Sequence, residues 1–316
     1  MIKLKMRKNF KEIYMKIYPA DNGNIEGYHI GVLDSGLGGL SVLRTLIQTY
    51  PNNSYSYYGD SANAPYGDRA PGEMEKLAAA LIGRALEDGP DALILACNTI
   101  SAYKDDLIGP DVKIPVIGTI EAGSELAVKT FNDLAGSQAD PHIYSGKYAA
   151  NIGLMATNVT VNSHAYKNRI RSLAPDLSVE EKACPHLVPV IEKSGTDEEK
   201  YKAIDLDLCD NKVMAPVIIL GCTHFPLIRD YVQNYLGPDI RLVDPAYGMA
   251  QKLATVLEKD PEAKKNMPLK ADAEAKEAAY FRRLSSSGDL EILKDVAARL
   301  FKEDIEAFPY SYMGFK

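Results

Sequence analysis

Hydrophobic and polar residues follow two different periodicities along the chain from residue 29 onward. Short apolar runs of strand length occur at 29–33, 92–96, 115–118, 151–156 and 216–220. Apolar residues that recur every three or four positions, as in amphipathic helices, occur at 40–50, 73–88 and 290–300. Strands that alternate with helices in this way predict an α/β fold, in which parallel sheets carry helices on both faces.

Several stretches between these elements are polar, irregular or charged. Residues 132–150 and 194–212 are expected to be surface insertions, and residues 259–287 form a charged segment. The serine-rich run at 285–288 is predicted to be a loop, because small polar residues and glycine favour turns. Residues 1–27 form a basic N-terminal extension, and the spacing of its apolar residues permits an amphipathic helix.

One segment of the chain occurs twice. Residues 92–99 (ALILACNT) are echoed by residues 217–224 (VIILGCTH), and each copy ends its apolar run with a cysteine, Cys97 or Cys222. Ligands of open α/β sheets bind beyond the carboxyl ends of the strands, so one thiol is expected at the mouth of each of two similar halves. Two facing thiols suit a reaction that removes a proton from one side of a carbon and returns one to the other.

The properties of the whole chain narrow the class of protein. A length of 316 residues allows two domains, and a net charge of −7 does not favour a nucleic-acid partner. No apolar run reaches the roughly 20 residues that a membrane span needs, and no secretory signal is recognisable. The four cysteines lack a CxxC spacing, so they are expected to be free thiols of a cytoplasmic protein.

The two repeated cysteines are candidates for acid–base catalysis. A cysteine after a strand is often only a small buried residue, but the polar neighbours of Cys97 and Cys222 favour a reactive thiol. Racemisation by two bases needs one thiolate and one thiol, which exchange roles with the direction of the reaction. His224 could hold the Cys222 thiol or supply its proton, and Glu192 could polarise His224 across the cleft. The structural alternatives are a histidine that caps a helix and a solvated glutamate.

Further candidates lie in turns and at predicted strand ends. The glycine-rich turn at 34–39 is neither a P-loop nor GxGxxG, but its N–H groups could bind a carboxylate. Asp34 could bind an ammonium group or handle a thiol proton, or it could only order the turn. The turn Pro65-Tyr66-Gly67 could place a tyrosine over the cleft or be an ordinary loop. Short polar side chains that could bind the substrate or cap helices are Asn98, Thr99, Thr157, Thr160 and Thr223.

A zinc site is a further alternative, because thiolate and imidazole are the usual zinc ligands. Cys184 and His186 are two positions apart, and so are Cys222 and His224. The paired CxxC motifs of structural zinc sites are missing from the sequence, so we predict no bound metal.

Seven segments together resemble the glutamate racemases of the aspartate/glutamate racemase superfamily. They are VLDSGLGGLSVLR (32–44), PYG (65–67), ACNT (96–99), ATNVTVNSHAY (156–166), ACPHLVPVIE (183–192), GCTHFPL (221–227) and LVDPAYGMA (242–250). The resemblance lies within residues 29–258, with a weaker match over 281–301. The DSGLGG turn and the GCTH sequence favour the glutamate branch, because aspartate racemases typically have GGxGP and GCTE at these places.

The resemblance implies both a fold and an activity. The family fold has two pseudo-symmetric α/β domains with the ligand between them, here 28–121 plus 243–316 and 122–242, after an N-terminal extension at 1–27. The family reaction interconverts L- and D-glutamate without a cofactor and supplies D-glutamate for peptidoglycan. Family members are often dimers, so the implied partners are glutamate and a second copy of the chain.

The resemblance also implies residue roles. Cys97 and Cys222 match the two acid–base residues, which Asp34 and His224 assist, with Glu192 as a partner of His224. The residues expected to line the substrate site are Asp34, Ser35, Pro65, Tyr66, Gly67, Asn98, Thr99, Thr157, Thr160, Thr223 and His224. Ile100 departs from the family, which usually has a small residue there, and could narrow the pocket wall.

Two other functions stay open on the sequence. A relative with a similar site could racemise aspartate or a hydantoin instead of glutamate. A small-ligand binding protein could share the pocket without catalysis, and one thiol would then be dispensable.

Overall fold

The structure is a computed structural model that describes residues 25–136, 148–209, 215–259, 280–301 and 310–315. The strands in these ranges are β1 His29–Asp34, β2 Ser54–Gly59, β3 Ala92–Leu95, β4 Val116–Gly118, β5 Ile152–Ala156, β6 Val179–Ala183, β7 Val217–Gly221, β8 Arg241–Val243, β9 Arg282–Ser286 and β10 Tyr310–Gly314. The α-helices are α1 Leu40–Thr49, α2 Pro71–Glu87, α3 Asn98–Ala102, α4 Lys104–Leu107, α5 Thr119–Gly136, α6 Asn158–Ser163, α7 Ala165–Leu173, α8 Leu187–Glu192, α9 Asp197–Leu208, α10 Arg229–Leu236, α11 Pro245–Lys259 and α12 Leu290–Leu300. Short 3-10 helices cover Tyr66–Asp68 and Phe225–Ile228.

The strands form two parallel sheets. The first has the order β10-β9-β2-β1-β3-β4, and the second has the order β6-β5-β7-β8. Ile30 pairs with both Tyr55 and Ala92 in the first sheet, and Ile152 pairs with Val217 in the second. Because all described pairs are parallel, the carboxyl ends of neighbouring strands lie at the same edge of each sheet. The predicted α/β fold with parallel sheets is confirmed.

Each sheet is covered by helices on both faces. On the first sheet, Leu43 of α1, Met249 of α11 and Leu293 of α12 share one core, and Leu81 of α2 belongs to the core on the other face. Strands that are buried on both faces need apolar side chains at nearly every position, and this explains their short continuous apolar runs.

The second sheet is built in the same way. Phe131 of α5 and Ile170 of α7 pack in the core on one face, whereas Ile204 of α9 and Val232 of α10 pack in the core on the other. After β8 the chain returns to the first sheet, because α11 packs against both α5 and α1 and is followed by β9 and β10.

The predicted loop at 285–288 is wrong in part, because β9 continues through Ser286 and pairs with β2. Arg282 belongs to the charged segment before this run, yet its side chain is only 1% exposed. Its guanidinium donates hydrogen bonds to the carbonyls of Asn53 and Pro51, the latter at 2.6 Å. Paired donors of this kind allow a charged side chain to be buried.

The predicted insertion at 194–212 is also wrong, because it contains helix α9. Thr196 accepts a hydrogen bond from the backbone of Glu199, and Glu199 accepts one from the backbone of Thr196, which is a capping box. Within the predicted insertion at 132–150, α5 extends through Gly136, and residues 137–147 lie outside the described residues. The helix expected in the N-terminal extension also lies outside them.

Among the helices of the described residues, none combines sufficient length with sufficient apolar character to cross a bilayer.

Candidate active site

Cys97 lies at the carboxyl end of the first sheet. Strand β3 ends at Leu95 and α3 begins at Asn98, so Cys97 occupies the N-cap of a helix and is 6% exposed. Its Sγ lies 3.3 Å from the Oγ of Ser35, which follows the neighbouring strand β1. Burial and the nearby charge of Asp34 raise the pKa of the Cys97 thiol to about 11. The hydrogen bond to Ser35 opposes this shift only in part, so Cys97 is a thiol at neutral pH.

Cys222 lies at the equivalent place in the second sheet, directly after β7, and is 8% exposed. Its Sγ is 3.7 Å from the Nδ1 of His224, and the Nε2 of His224 is 3.2 Å from an Oε1 of Glu192. Burial lowers the pKa of His224, but hydrogen bonds to Cys222 and Glu192, with nearby negative charges, raise it to about 10. The protonated ring can therefore donate a charge-assisted hydrogen bond to the Cys222 sulfur.

Glu192 differs in one respect from its predicted position. It ends α8 and lies in the same half as His224, whereas the sequence suggested a contact across the cleft. Its side chain is 56% exposed, and the hydrogen bond to His224 lowers the pKa of its carboxyl group. Glu192 therefore approaches His224 from the solvent side and holds the ring by an ion pair.

Asp34 is a buried carboxylate whose charge acts on Cys97 and which contacts Thr223, the residue after Cys222. It ends β1, is 1% exposed, and accepts a hydrogen bond from the backbone N–H of Gly36 at 3.1 Å. Burial raises the pKa of Asp34, although the charge of His224 and hydrogen bonds from Gly39 and Gly36 oppose that shift. A carboxylate with a raised pKa is suited to exchange protons with neighbouring groups.

Two hydrogen bonds join the carboxyl ends of the two sheets at this place. The hydroxyl of Thr223 donates to Asp34 Oδ1 at 3.4 Å, and the hydroxyl of Ser41 donates to the backbone carbonyl of Thr223 at 2.9 Å. A Cβ atom at Gly38 would lie 2.4 Å from Thr223 Oγ1 and 2.7 Å from the ring of His224. Glycine at position 38 therefore allows the residues after Cys222 to approach the turn that follows β1.

The Pro65-Tyr66-Gly67 turn closes another side of the site. Tyr66 is buried in the 3-10 helix and donates a hydrogen bond to Asp60 Oδ2 at 2.6 Å. A Cβ atom at Gly67 would lie 3.4 Å from the side chain of Thr157, so this turn meets the second half of the molecule. Pro65 is exposed at the rim.

The remaining predicted residues lie at two helix starts. Asn98 and Thr99 are buried in the first turn of α3, directly after Cys97. Thr157 is the N-cap of α6, and its Oγ1 lies 3.1 Å from the Oγ1 of the fully buried Thr160. The structure thus brings hydroxyl, amide and backbone N–H groups from both halves to the strand ends that carry the thiols.

Two tyrosines that hydrogen-bond to residues of this site were not predicted from the sequence. Tyr57 donates to the backbone carbonyl of Gly36 at 2.8 Å, and Tyr166 donates to Asn98 Oδ1 at 2.7 Å. Tyr166 lies in one of the seven motif segments, which was the available signal. Tyr57 lies in a strand whose residues were not recognised as apolar, because β2 is rich in tyrosine and serine.

The zinc alternative receives no support from the structure. His186 Nδ1 lies 2.6 Å from Asp207 Oδ1, and the neighbouring Cys184 is fully buried, with a pKa that burial raises far above its usual range. Within the described ranges, no group of three or more His, Cys, Asp or Glu side chains has the arrangement of a metal site.

Comparisons with known proteins agree with this geometry. Residues 30–253 match the Asp/Glu/Hydantoin racemase family. The glutamate racemase of Streptococcus gordonii is 34% identical over 229 residues, which are 72% of this chain and 81% of that protein.

Solved structures of glutamate racemases are also similar to this chain. A glutamate racemase of Bacillus anthracis has a TM-score of 0.74 at 27% identity, over 92% of this chain and 98% of that one. The Francisella tularensis glutamate racemase, solved in complex with D-glutamate, has a TM-score of 0.70 at 26% identity, over 92% of this chain and 97% of that one.

Two parallel sheets with a cysteine at the carboxyl end of a strand in each define an α/β protein equipped for acid–base chemistry. The chain belongs to the Asp/Glu/Hydantoin racemase family, and its resemblance to the glutamate racemases is confirmed. It is therefore an amino-acid racemase, which is an isomerase.

Proposed function

We propose that this protein interconverts L-glutamate and D-glutamate by proton transfer between Cys97, Cys222 and the substrate α carbon. The observation that carries the proposal is the position of the two thiols, each within two residues of the carboxyl end of a parallel strand, in different sheets. The contacts of Thr223 with Asp34 and Ser41 support it, because they bring those strand ends together. The S. gordonii relative, whose name is glutamate racemase, supports the choice of glutamate.

The reaction breaks one Cα–H bond and forms another on the opposite face of the carbon. A thiolate takes the α proton, and the electron pair is delocalised into the α carboxylate while the carbon becomes planar. The thiol on the other side then donates its proton to the carbon, and the configuration is inverted. Both proton carriers are side chains of this protein, so the proposed step uses no cofactor.

The surroundings of the two thiols differ. The pKa of His224 is raised to about 10, and its Nδ1 lies 3.7 Å from the Cys222 sulfur, so its positive charge can stabilise negative charge that develops there. Cys97 keeps its proton because burial and Asp34 raise its pKa. Cys97 is therefore assigned as the acid for the enantiomer whose α proton faces Cys222. Asp34 and His224 would assist the proton redistribution that resets the site, with Glu192 holding His224.

The substrate would be bound by groups from both halves. Carboxylates can bind to backbone N–H groups at the helix start at Asn98 and to those in the turn at 34–39 that do not already donate to Asp34. Hydroxyl and amide side chains near them can bind the ammonium group and the second carboxylate. The residues that we assign to the substrate site are Asp34, Ser35, Pro65, Tyr66, Gly67, Asn98, Thr99, Thr157, Thr160, Thr223 and His224.

The wider setting of the activity is part of the same proposal. We infer that the protein is cytoplasmic, a location that its free cysteines favour, and that it supplies D-glutamate for peptidoglycan. We also infer a homodimer, which sedimentation velocity tests directly. The proposed domains are 28–121 plus 243–316 and 122–242, since the chain passes to the second sheet after β4 and returns after β8.

Incubation with L-glutamate in D₂O tests the function. We expect the optical rotation to fall to zero and deuterium to appear at Cα. The Cys97→Ser and Cys222→Ser variants should each lose racemisation while keeping the circular dichroism spectrum of the native protein. The same assay with aspartate and with a hydantoin separates the related substrates. Binding of glutamate without loss of rotation or label would show a non-catalytic binding protein and would end the proposal.

A further inference from the structure

Tyr166 makes a contact between the two halves that has no role in the proposed proton transfer. It lies in the first turn of α7, is fully buried, and belongs to the core of the second sheet. Its hydroxyl is 2.7 Å from the Oδ1 of Asn98, which follows Cys97 at the end of the first sheet. A second acceptor, the backbone carbonyl of Thr119, lies farther away at 3.4 Å.

This contact determines which end of the Asn98 amide faces Tyr166. Burial raises the pKa of Tyr166 far above its usual range, so its hydroxyl keeps its proton and acts as a donor. A donor at 2.7 Å requires an acceptor, and the acceptor of the Asn98 side chain is Oδ1. The amide nitrogen must therefore point the other way.

The amide nitrogen of Asn98 is held ready to donate. Asn98 is 5% exposed, and its Nδ2 makes no hydrogen bond with another of the residues that the structure describes. Asn98 directly follows Cys97, so this amide donor lies beside the candidate catalytic thiol.

We propose that Tyr166 is a positioning residue, which fixes the Asn98 amide so that Nδ2 donates a hydrogen bond to a carboxylate of the substrate. The inference rests on the proposed function, since it takes glutamate as the ligand. Without the Tyr166 hydroxyl, the amide can rotate and present Oδ1 to the carboxylate, and two acceptors repel each other. Tyr166 thereby contributes to substrate affinity without touching the substrate.

The position of Tyr166 makes this role specific to the assembled site. The phenol belongs to the second half and the amide to the first, so the hydrogen bond forms only where α7 and α3 meet. Its ring is closely packed, because a Cβ atom at Gly123 would lie 3.1 Å from Tyr166 Cε1. The packed ring therefore fixes the hydroxyl oxygen at 2.7 Å from Asn98 Oδ1, which is nearer than the carbonyl of Thr119 at 3.4 Å.

The Tyr166→Phe variant removes the hydroxyl and keeps the ring. We expect the Kd of D-glutamate, measured by calorimetry, and the KM of racemisation to rise about tenfold, the effect of one hydrogen bond of about 1.4 kcal/mol. The expected kcat changes less than threefold, because the thiols do not move. Tyr55→Phe is the matched control, since its buried hydroxyl donates to the carbonyls of Leu46 and Tyr50. That variant should keep the native Kd and KM.

A double-mutant cycle separates positioning from a general structural role. Asn98→Ala should weaken D-glutamate binding by itself, and adding Tyr166→Phe should then change the Kd less than twofold. An unchanged Kd in Tyr166→Phe, or the same tenfold loss in the Asn98→Ala background, would overturn the inference. Native protein that binds D-glutamate without racemising it would refute the proposed function, while the Kd values would still decide the role of Tyr166. Native protein that does not bind glutamate would refute both.

Discussion

The imidazole of His224 lies between the exposed carboxylate of Glu192, 3.2 Å from Nε2, and the buried sulfur of Cys222, 3.7 Å from Nδ1. Each ring nitrogen therefore faces an acidic group. This arrangement explains why the pKa of His224 rises to about 10 although burial alone lowers it. Glu192 reaches the ring from the surface, so its charge can be changed without disturbing the core.

Glu192→Gln is expected to lower the pKa of His224, because it removes one of the two hydrogen-bonding acids that hold the imidazolium. The imidazolium would then lose its proton at a lower pH. We expect the basic limb of the pH profile of kcat/KM, measured by polarimetry, to shift to lower pH. Glu198→Gln is the control, because Glu198 is an exposed glutamate at the start of α9. A basic limb that is the same in both variants would contradict the assigned role of Glu192.

Cys97 should show the reactivity of a thiol with a high pKa. That pKa is about 11, so alkylation by iodoacetamide should speed up about tenfold for each pH unit between pH 7 and 10. Mass spectrometry of the peptide that contains Cys97 measures the rate. The exposed Cys209 should be modified first at neutral pH, and Cys209→Ser removes that competing signal. A rate at Cys97 that does not depend on pH would show that its thiolate is already formed.

Arg282→Met should destabilise the fold. The change leaves the carbonyls of Asn53 and Pro51 without their charged donor inside the first sheet. Loss of a buried charged donor costs about 3 kcal/mol of the free energy of unfolding, which urea denaturation measures. Arg299→Met is the control, since Arg299 is exposed on α12 and its replacement should cost less than about 1 kcal/mol. Equal losses in the two variants would mean that burial of Arg282 adds no stability.

The sequence alone predicted those parts of the fold in which apolar residues follow a simple pattern. Apolar runs located β1, β3, β5 and β7, because strands buried on both faces need continuous apolar residues. Since parallel strands end at one edge of a sheet, the same runs also located Cys97 and Cys222 at strand ends.

Elements stabilised by polar partners were harder to predict. Strand β9 carries Arg282, whose burial depends on carbonyl groups more than two hundred positions away in the chain. Local spacing contains no information about such partners. The capping box of Thr196 and Glu199 was visible in the sequence, but the charged residues after it concealed the apolar face of α9.

The contacts between the two halves could not be predicted from local patterns at all. The pair of Tyr166 and Asn98 and the pair of Thr223 and Asp34 depend on how the two sheets approach each other. Motif resemblance supplied candidate residues for the site, and the structure adds which of these groups touch.

Gly38→Ala tests whether the close approach of the two halves is needed for activity. The added methyl group would lie 2.4 Å from Thr223 Oγ1 and 2.7 Å from His224, well inside van der Waals contact. The residues after Cys222 would have to move away from Asp34, and a displacement of about 1 Å lowers kcat/KM about 100-fold. Gly83→Ala is the control, because a Cβ atom at this exposed position of α2 meets nothing within 4 Å. That variant should keep full activity and gain about 0.5–1 kcal/mol in the free energy of unfolding, since alanine favours helix over glycine. Polarimetry measures the activity, and urea denaturation measures the free energy of unfolding. A Gly38→Ala variant that racemises glutamate within twofold of the native rate would show that the close approach of Thr223 and His224 to Gly38 is not required for catalysis.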